Sequence, residues 1–215
     1  GTYADPRQEG CRANQRARMQ GREIVSLIQT GEQEALLYHA FPLDACLIRA
    51  TYADEDGSLS LAHEALTDAQ LEMAAAVHNQ GGIVIVQVEE IVQRGSLPPR
   101  SVRVHHSLVD YVVKAASPQL HLQGYASPYY RPDLTGEVRC LTSNAPPMPL
   151  DLRKVIARRG AMELKRDALI NLGIGIPSGV ASVANEEGLA SHTTLSLESG
   201  PVGGVPLEGM GFAAA

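Results

Sequence analysis

A single carboxylate, Glu198, stands where the apolar run at residues 193–197 gives way to Ser199-Gly200-Pro201-Val202-Gly203-Gly204. A carboxylate is a poor nucleophile in water because its hydration shell has to be shed before it attacks. A protein that holds and desolvates it makes it a competent one. The β-branched and apolar run predicts a strand, which sets Glu198 at a carboxyl end, where open α/β sheets bind ligands. Glycines just beyond let backbone amides come close to a bound group. The plain alternative is that a glutamate opening a turn is solvated surface.

Other residues of chemical interest carry less. Gly173 and Gly175 make a glycine turn ahead of a helical pattern, a geometry that can cradle phosphate at a helix N-terminus. The third glycine of a dinucleotide fingerprint is missing and no Gly-Lys-Ser/Thr follows, so neither a nicotinamide nor an ATP site is expected. By itself the turn reads as a tight connection that needs small residues. Glu89-Glu90 ends another strand-like run in a position formally similar to that of Glu198. Neighbours on a strand point to opposite faces, so the two are expected to be structural rather than a proton-sharing dyad. The imidazoles of His105 and His106 are expected to diverge on an extended segment with no third ligand near, which argues against a metal. Cys11, Cys46 and Cys140 are odd in number and widely spaced, so neither a disulfide framework nor a zinc site is indicated, and a reducing interior fits.

The elements that must position these groups alternate between helical and strand patterns, which favours an α/β sheet over a bundle. Residues 44–50 read as a buried strand, followed by a turn at Asp54-Glu55-Asp56-Gly57. Residues 68–79 suit a helix with Leu71, Ala74, Ala75 and His78 on one face, stopped by Gly81-Gly82. Residues 83–88 are almost continuously apolar, the pattern of a strand covered on both faces. A further strand is expected at 101–104, then an apolar stretch at 108–113. Periodicity is lost from about 117 to 149, a segment rich in Pro, Ser, Tyr and Gly, and the connection between two domains is expected there. Asp151 is expected to be the N-cap of a helix with Leu152, Val155, Ile156 and Met162 as its apolar stripe. A strand at 169–172, the glycine turn, a helix opened by Pro177 and ended by Gly188, and the strand before Glu198 complete the chain.

With 215 residues and 44% hydrophobic content, the sequence can build one or two cores. Its net charge of −6 argues against nucleic-acid binding, which needs clustered Lys and Arg. The one basic cluster, residues 153–159, reads as a solvated helix face, although so small a patch would suffice for an anionic ligand. The apolar runs fall far short of the ~18 residues of a spanning helix. A soluble, cytoplasmic protein without membrane attachment is expected.

The string Glu198-Ser199-Gly200-Pro201-Val202-Gly203-Gly204-Val205-Pro206 resembles the E-S-G-P-x-G-G-x-P active-site segment of the family I coenzyme A transferases, in the propionate and acetate CoA-transferase branch. Asn171-Leu172-Gly173-Ile174-Gly175-Ile176-Pro177 and Arg153-Lys154-Val155-Ile156-Ala157-Arg158-Arg159 are similar to the opening of that family's second domain. Gly1-Thr2-Tyr3-Ala4-Asp5-Pro6-Arg7, Ala40-Phe41-Pro42-Leu43-Asp44 and Ile83-Val84-Ile85-Val86-Gln87-Val88-Glu89 are similar to its first, in the same order. His105-His106 departs from the Pro-Gly usual there.

The resemblance implies an α/β fold of open, mostly parallel sheets with flanking helices, in two partial domains. Residues 1–145 would be the later part of the first domain, with the linker at about 117–149, and residues 150–215 the opening of the second. It further implies transfer of coenzyme A between short-chain carboxylic acids, with Glu198 carrying a glutamyl-CoA thioester. Asn171, Gly173 and Gly175 would line the acyl or carboxylate pocket, and Gly200, Gly203 and Gly204 would admit substrate and CoA. The implied partners are acyl-CoA, carboxylates and identical subunits; CoA is a substrate, and no cofactor is permanently bound. The chain reads as the middle of a longer polypeptide, inactive by itself. Two other readings remain open at this point: a non-catalytic remnant of the fold, or a sugar-phosphate isomerase-like enzyme using Glu198 as a base.

Overall fold

The computed structural model describes residues 16, 19–21, 24–124, 129–140, 145–198 and 200–207. Cys11, the first seven residues, Ser199 and the chain beyond 207 therefore lie outside the described residues. An antiparallel hairpin comes first, β1 (Val25–Thr30) with β2 (Gln33–Tyr38), paired from Val25↔Tyr38 to Thr30↔Gln33.

A five-stranded sheet follows, built from β3 (Ala45–Asp54), β4 (Leu59–Ser60), β5 (Ile83–Val92), β6 (Val102–Val104) and β7 (Tyr111–Lys114) in the order β6-β4-β3-β5-β7. β3, β5 and β7 are parallel, and β4 runs antiparallel to both β3 and β6. The turn foreseen at residues 54–57 reverses the chain from β3 into β4. Asp54 caps it by accepting from the backbone N–H groups of Asp56 and Ser58 at 3.1 and 2.8 Å, the local use of aspartate that favours turns.

Helix α1 (Gln70–His78) covers one face of this sheet. Ala74 and Val77 pack against Ile48, Ala50, Val84, Val86 and Val88. Two expectations change here. The face that α1 buries is Ala74 and Val77, whereas Leu71 and His78 are exposed. β5 is buried on alternate residues: Val84, Val86 and Val88 are fully covered, while Ile83 is 46% exposed and Ile85 and Gln87 are half-buried. Its continuous apolar character thus reflects β-branched fit to a pleated sheet as well as burial.

The remainder holds two linked cores. Helix α2 (Leu152–Ala161) packs on helix α3 (Ser178–Glu186), with Met148, Ala157, Ala161 and Val183 buried between them. Asp151 is the N-cap as expected, its carboxylate accepting from Lys154 N at 3.0 Å. The apolar stripe expected to be buried on α2 faces solvent instead: Leu152 is 82% and Met162 78% exposed, and Val155 and Ile156 are exposed too. The reason is steric. α3 approaches through Gly179, where a Cβ would lie 3.2 Å from Ala157 Cβ, and Gly160 admits Val180 in the same way, so the close-packed side of α2 is its small-residue side. Strands β8 (Leu169–Leu172) and β9 (Thr194–Leu197) flank α3 in sequence and pair in parallel, a β-α-β unit whose core is Leu172, Ala181 and Leu195. α3 ends at Glu186, and Gly188 just beyond it has φ +73°, as a left-handed stop requires.

Candidate active site

The parallel register of β8 and β9 sets Asn171 opposite Ser196 and Leu172 opposite Leu197. Leu172, Leu195 and Leu197 are buried, so the alternation of strand side chains sends Asn171 and Ser196 to the opposite face. One step further along the same face come Gly173 and Glu198. The ladder continues that far, since Glu198 N donates to Leu172 O at 3.3 Å.

Beyond Glu198 the chain reverses. Gly200 N donates to Leu197 O at 3.0 Å, Leu197 N to Pro201 O at 3.0 Å, and Gly203 N to Leu195 O at 2.7 Å, while Val202 forms an antiparallel bridge with Ser196. β9 thus lies between β8 and the returning segment, with Glu198 at the tip. Gly200, Gly203 and Gly204 have φ of +113°, +88° and +73°, values that side chains with a Cβ resist. Their role in the fold is to make this reversal, and nothing within 4 Å would meet a Cβ at any of the three.

Glu198 is exposed, so the desolvation expected of a nucleophile is absent here. Its carboxylate lies close to Gly173: Oε2 is 3.1 Å from where a Cβ of that residue would be. On the same face Asn171 Nδ2 donates to Ser196 Oγ at 3.2 Å, and Ser196 Oγ in turn donates to Ile170 O at 3.5 Å. Gly175, with φ +99°, turns the chain into α3, where Ser178 Oγ donates to Gly175 O at 2.7 Å. Of the residues singled out in the sequence, Glu198 and Gly173 come together at the end of the β8–β9 ladder, with Asn171 one step before them on the same face and Gly200 in the turn beyond. Gly203, Gly204 and Gly175 shape the turns on either side. Ser196 was missed, although its place two residues before Glu198 on a strand was readable.

Glu89 and Glu90 separate as expected. The first meets His63 Nδ1 at 3.0 Å and the second Lys114 Nζ at 2.5 Å. His105 and His106 do not diverge: their ring centroids lie 4.0 Å apart, because His105 bends back to accept from Ser107 N and start a short 3-10 turn. The basic cluster on α2 is largely engaged locally. Lys154 is buried and pairs with Glu186 at 2.6 Å, Arg158 pairs with Glu187, and Arg159 with Glu163.

A partly buried polar cluster around Glu64 and His121 had no sequence signal. Arg49 on β3 contacts Glu64 at 2.7 Å and donates to Leu122 O at 2.7 Å, and His121 Nε2 lies 3.5 Å from Glu64 Oε1. Burial, aided by the Arg49 charge, holds the His121 imidazole below its usual pKa. Next to it, His63 stacks on Tyr130 with centroids 4.0 Å apart.

Residues 1–115 match the family described as Coenzyme A transferase. The chain is 42% identical over 206 residues to the caffeate CoA-transferase of Acetobacterium woodii, covering 96% of this chain and 38% of that protein. It is 38% identical over 214 residues to the acetate CoA-transferase YdiF of Escherichia coli (strain K12), covering 100% of this chain and 39% of that protein. Two solved structures of the acyl-CoA transferase YdiF from E. coli O157:H7, an apoenzyme and a thioester complex with CoA, superpose with a TM-score of 0.73 over 95% of this chain at 34% and 35% identity. They are matched over 38% and 39% of their own length. The chain belongs to the coenzyme A transferase family, and its α/β architecture is that of the family. It spans about two fifths of the length of the curated relatives it matches. Among the described residues no helix is long and apolar enough to cross a membrane.

Proposed function

We propose that the chain is part of a CoA-transferase subunit that exchanges coenzyme A between short-chain carboxylic acids through a thioester on Glu198. The observation that carries this reading is the placement of Glu198: a carboxylate at the tip of a glycine-built reversal, at the carboxyl end of a parallel strand pair, seated over Gly173. Membership of the family supports it, as does the thioester complex with CoA reported for YdiF.

In this reading a Glu198 oxygen attacks the acyl-CoA carbonyl and expels the CoA thiolate, leaving a mixed anhydride. The thiolate attacks the glutamyl carbonyl and releases the first acid, which gives the glutamyl-CoA thioester. The second acid attacks that thioester and again expels the thiolate. Attack of the thiolate on the new acyl carbonyl then restores the Glu198 carboxylate and frees the product. One thioester replaces another, so no ATP is consumed. Contacts to the remote nucleotide end of CoA supply binding energy for the strained intermediates.

Glu198 is open to water in this chain, so its desolvation comes from the bound acyl-CoA and from the remainder of the subunit. The residues fall into a first domain, 1–145, and the opening of a second, 150–215. The uncovered apolar side chains of β5 and α2 fit a subunit that continues beyond them. A cytoplasmic homo-oligomer completes the picture.

Incubating the full-length subunit with acyl-CoA and trapping with hydroxylamine or borohydride tests the reading. The peptide bearing Glu198 acquires the modification seen by mass spectrometry, and Glu198→Gln abolishes it. An unmodified peptide in an active enzyme overturns the thioester and favours proton transfer by Glu198. The isolated 215-residue chain shows no turnover, and measurable exchange by it would contradict the two-part subunit.

A further inference from the structure

We infer that Ser196 is a positioning residue for the transfer reaction: its hydroxyl fixes the amide of Asn171 beside Glu198. The inference rests on the thioester reading of Glu198 and adds to it a residue that acts through another.

Three observations lead to it. First, the register of β8 and β9 makes Asn171 and Ser196 direct partners on the face that bears Glu198 and Gly173 one step further on. Second, Asn171 Nδ2 donates to Ser196 Oγ at 3.2 Å. Third, Ser196 is itself held on both sides, by the β8 ladder on one edge and by the bridge to Val202 on the other, and it is half-buried while Asn171 is exposed. A short, doubly held side chain thus anchors a longer, solvent-facing one.

An exposed asparagine turns about two side-chain bonds, and a bond to a fixed hydroxyl removes much of that freedom. The amide carries two N–H donors and one acceptor oxygen. With one donor committed to Ser196, the other is left for a group bound over Gly173 and Glu198. Each attack in the proposed sequence places negative charge on a carbonyl oxygen at that spot, and a donor fixed in advance stabilises this charge most in the transition state. The competing account is a cross-strand polar pair that steadies the sheet by up to about 1 kcal/mol and does nothing else.

The two accounts differ in kinetics. In the full-length enzyme, Ser196→Ala lowers kcat about tenfold and leaves KM for acyl-CoA near its original value, because the lost interaction belongs to the transition state. Ser196→Thr, which keeps the hydroxyl, restores most of the rate. In an Asn171→Ala background the Ser196→Ala change has no further effect on kcat. Unchanged kcat in Ser196→Ala, or an equal loss with and without Asn171, overturns the positioning role. Failure of the underlying reading looks different: the wild-type enzyme turns over without any adduct on Glu198, and the Ser196 role falls with it. An adduct that forms at a rate indifferent to Ser196 overturns the Ser196 role alone.

Discussion

The Cβ that Gly173 lacks would sit 3.1 Å from Glu198 Oε2, tighter than ordinary van der Waals contact, and the atom it meets is the end of an exposed side chain. Gly173 has no left-handed backbone conformation, so alanine fits its backbone and the carboxylate gives way. Gly173→Ala is expected to slow trapping of the Glu198 adduct by roughly tenfold to a hundredfold, the penalty of misplacing a reacting group by about an ångström. Stability should stay within about 0.5 kcal/mol of the parent, as for surface changes generally. Full-rate adduct formation in a well-folded variant would show that the seat over Gly173 has no part in the reaction. Gly200→Ala is the contrast, since a φ of +113° makes its cost one of backbone strain. Glu198 and its glycines were legible because motif and turn chemistry coincide in one string. The contact between Glu198 and Gly173 was not, because it depends on which strand pairs with which and in what register.

At the level of elements, α2 shows where pattern reading fails. Leu152, Val155, Ile156 and Met162 recur at helical spacing, yet the buried side of the helix is Lys154, Ala157 and Ala161. Hydropathy ranks a leucine stripe above an alanine stripe, whereas close helix approach across Gly179 and Gly160 selects the small residues. The buried lysine follows from that choice. Lys154 Nζ donates to Glu186 at 2.6 Å and to Met148 O at 2.8 Å, and the other Glu186 oxygen accepts from Met148 N. The ammonium beside it, with that backbone N–H, holds the Glu186 carboxyl below its usual pKa. Glu186→Ala should therefore destabilise the α2–α3 pair by roughly 2 kcal/mol, the order expected when a buried charged group loses its partner. Lys154→Met with Glu186→Leu should recover most of the loss, because both charges then leave together. Urea unfolding of the three proteins measures this, and a double variant no better than Glu186→Ala alone would refute it.

Across the whole molecule, residues 120–123 are tied to the five-stranded sheet and the loop after β4 by charge and hydrogen bonds. The loss of periodicity from about 117 to 149 was legible from composition. The anchoring of residues 120–123 was not, since Arg49, Glu64 and His121 are brought together from distant parts of the chain and share no periodicity. Gln87 Nε2 donates to Leu120 O at 2.8 Å, Arg49 to Leu122 O, and Gln123 Nε2 to His63 O at 2.9 Å. His121 lies among these bonds, faced by Arg49 from β3, Glu89 from β5 and Glu64 from the loop after β4. Burial first, and then the Arg49 charge, depress its folded pKa, against the smaller opposite pull of Glu64 and Glu89. The unfolded chain takes up a proton near pH 6.5, whereas the folded chain resists until lower pH. Between those two values the unfolded state binds more protons, so stability is complete above about pH 6.5 and declines as the pH falls towards the folded value. The backbone amides of residues 120–123 should accordingly lose hydrogen-exchange protection, corrected for intrinsic rates, on acidification from pH 7 to pH 5. His121→Gln keeps a polar group without the titration and should flatten that dependence, so equal slopes in the two proteins would show that the anchor does not sense protons through His121.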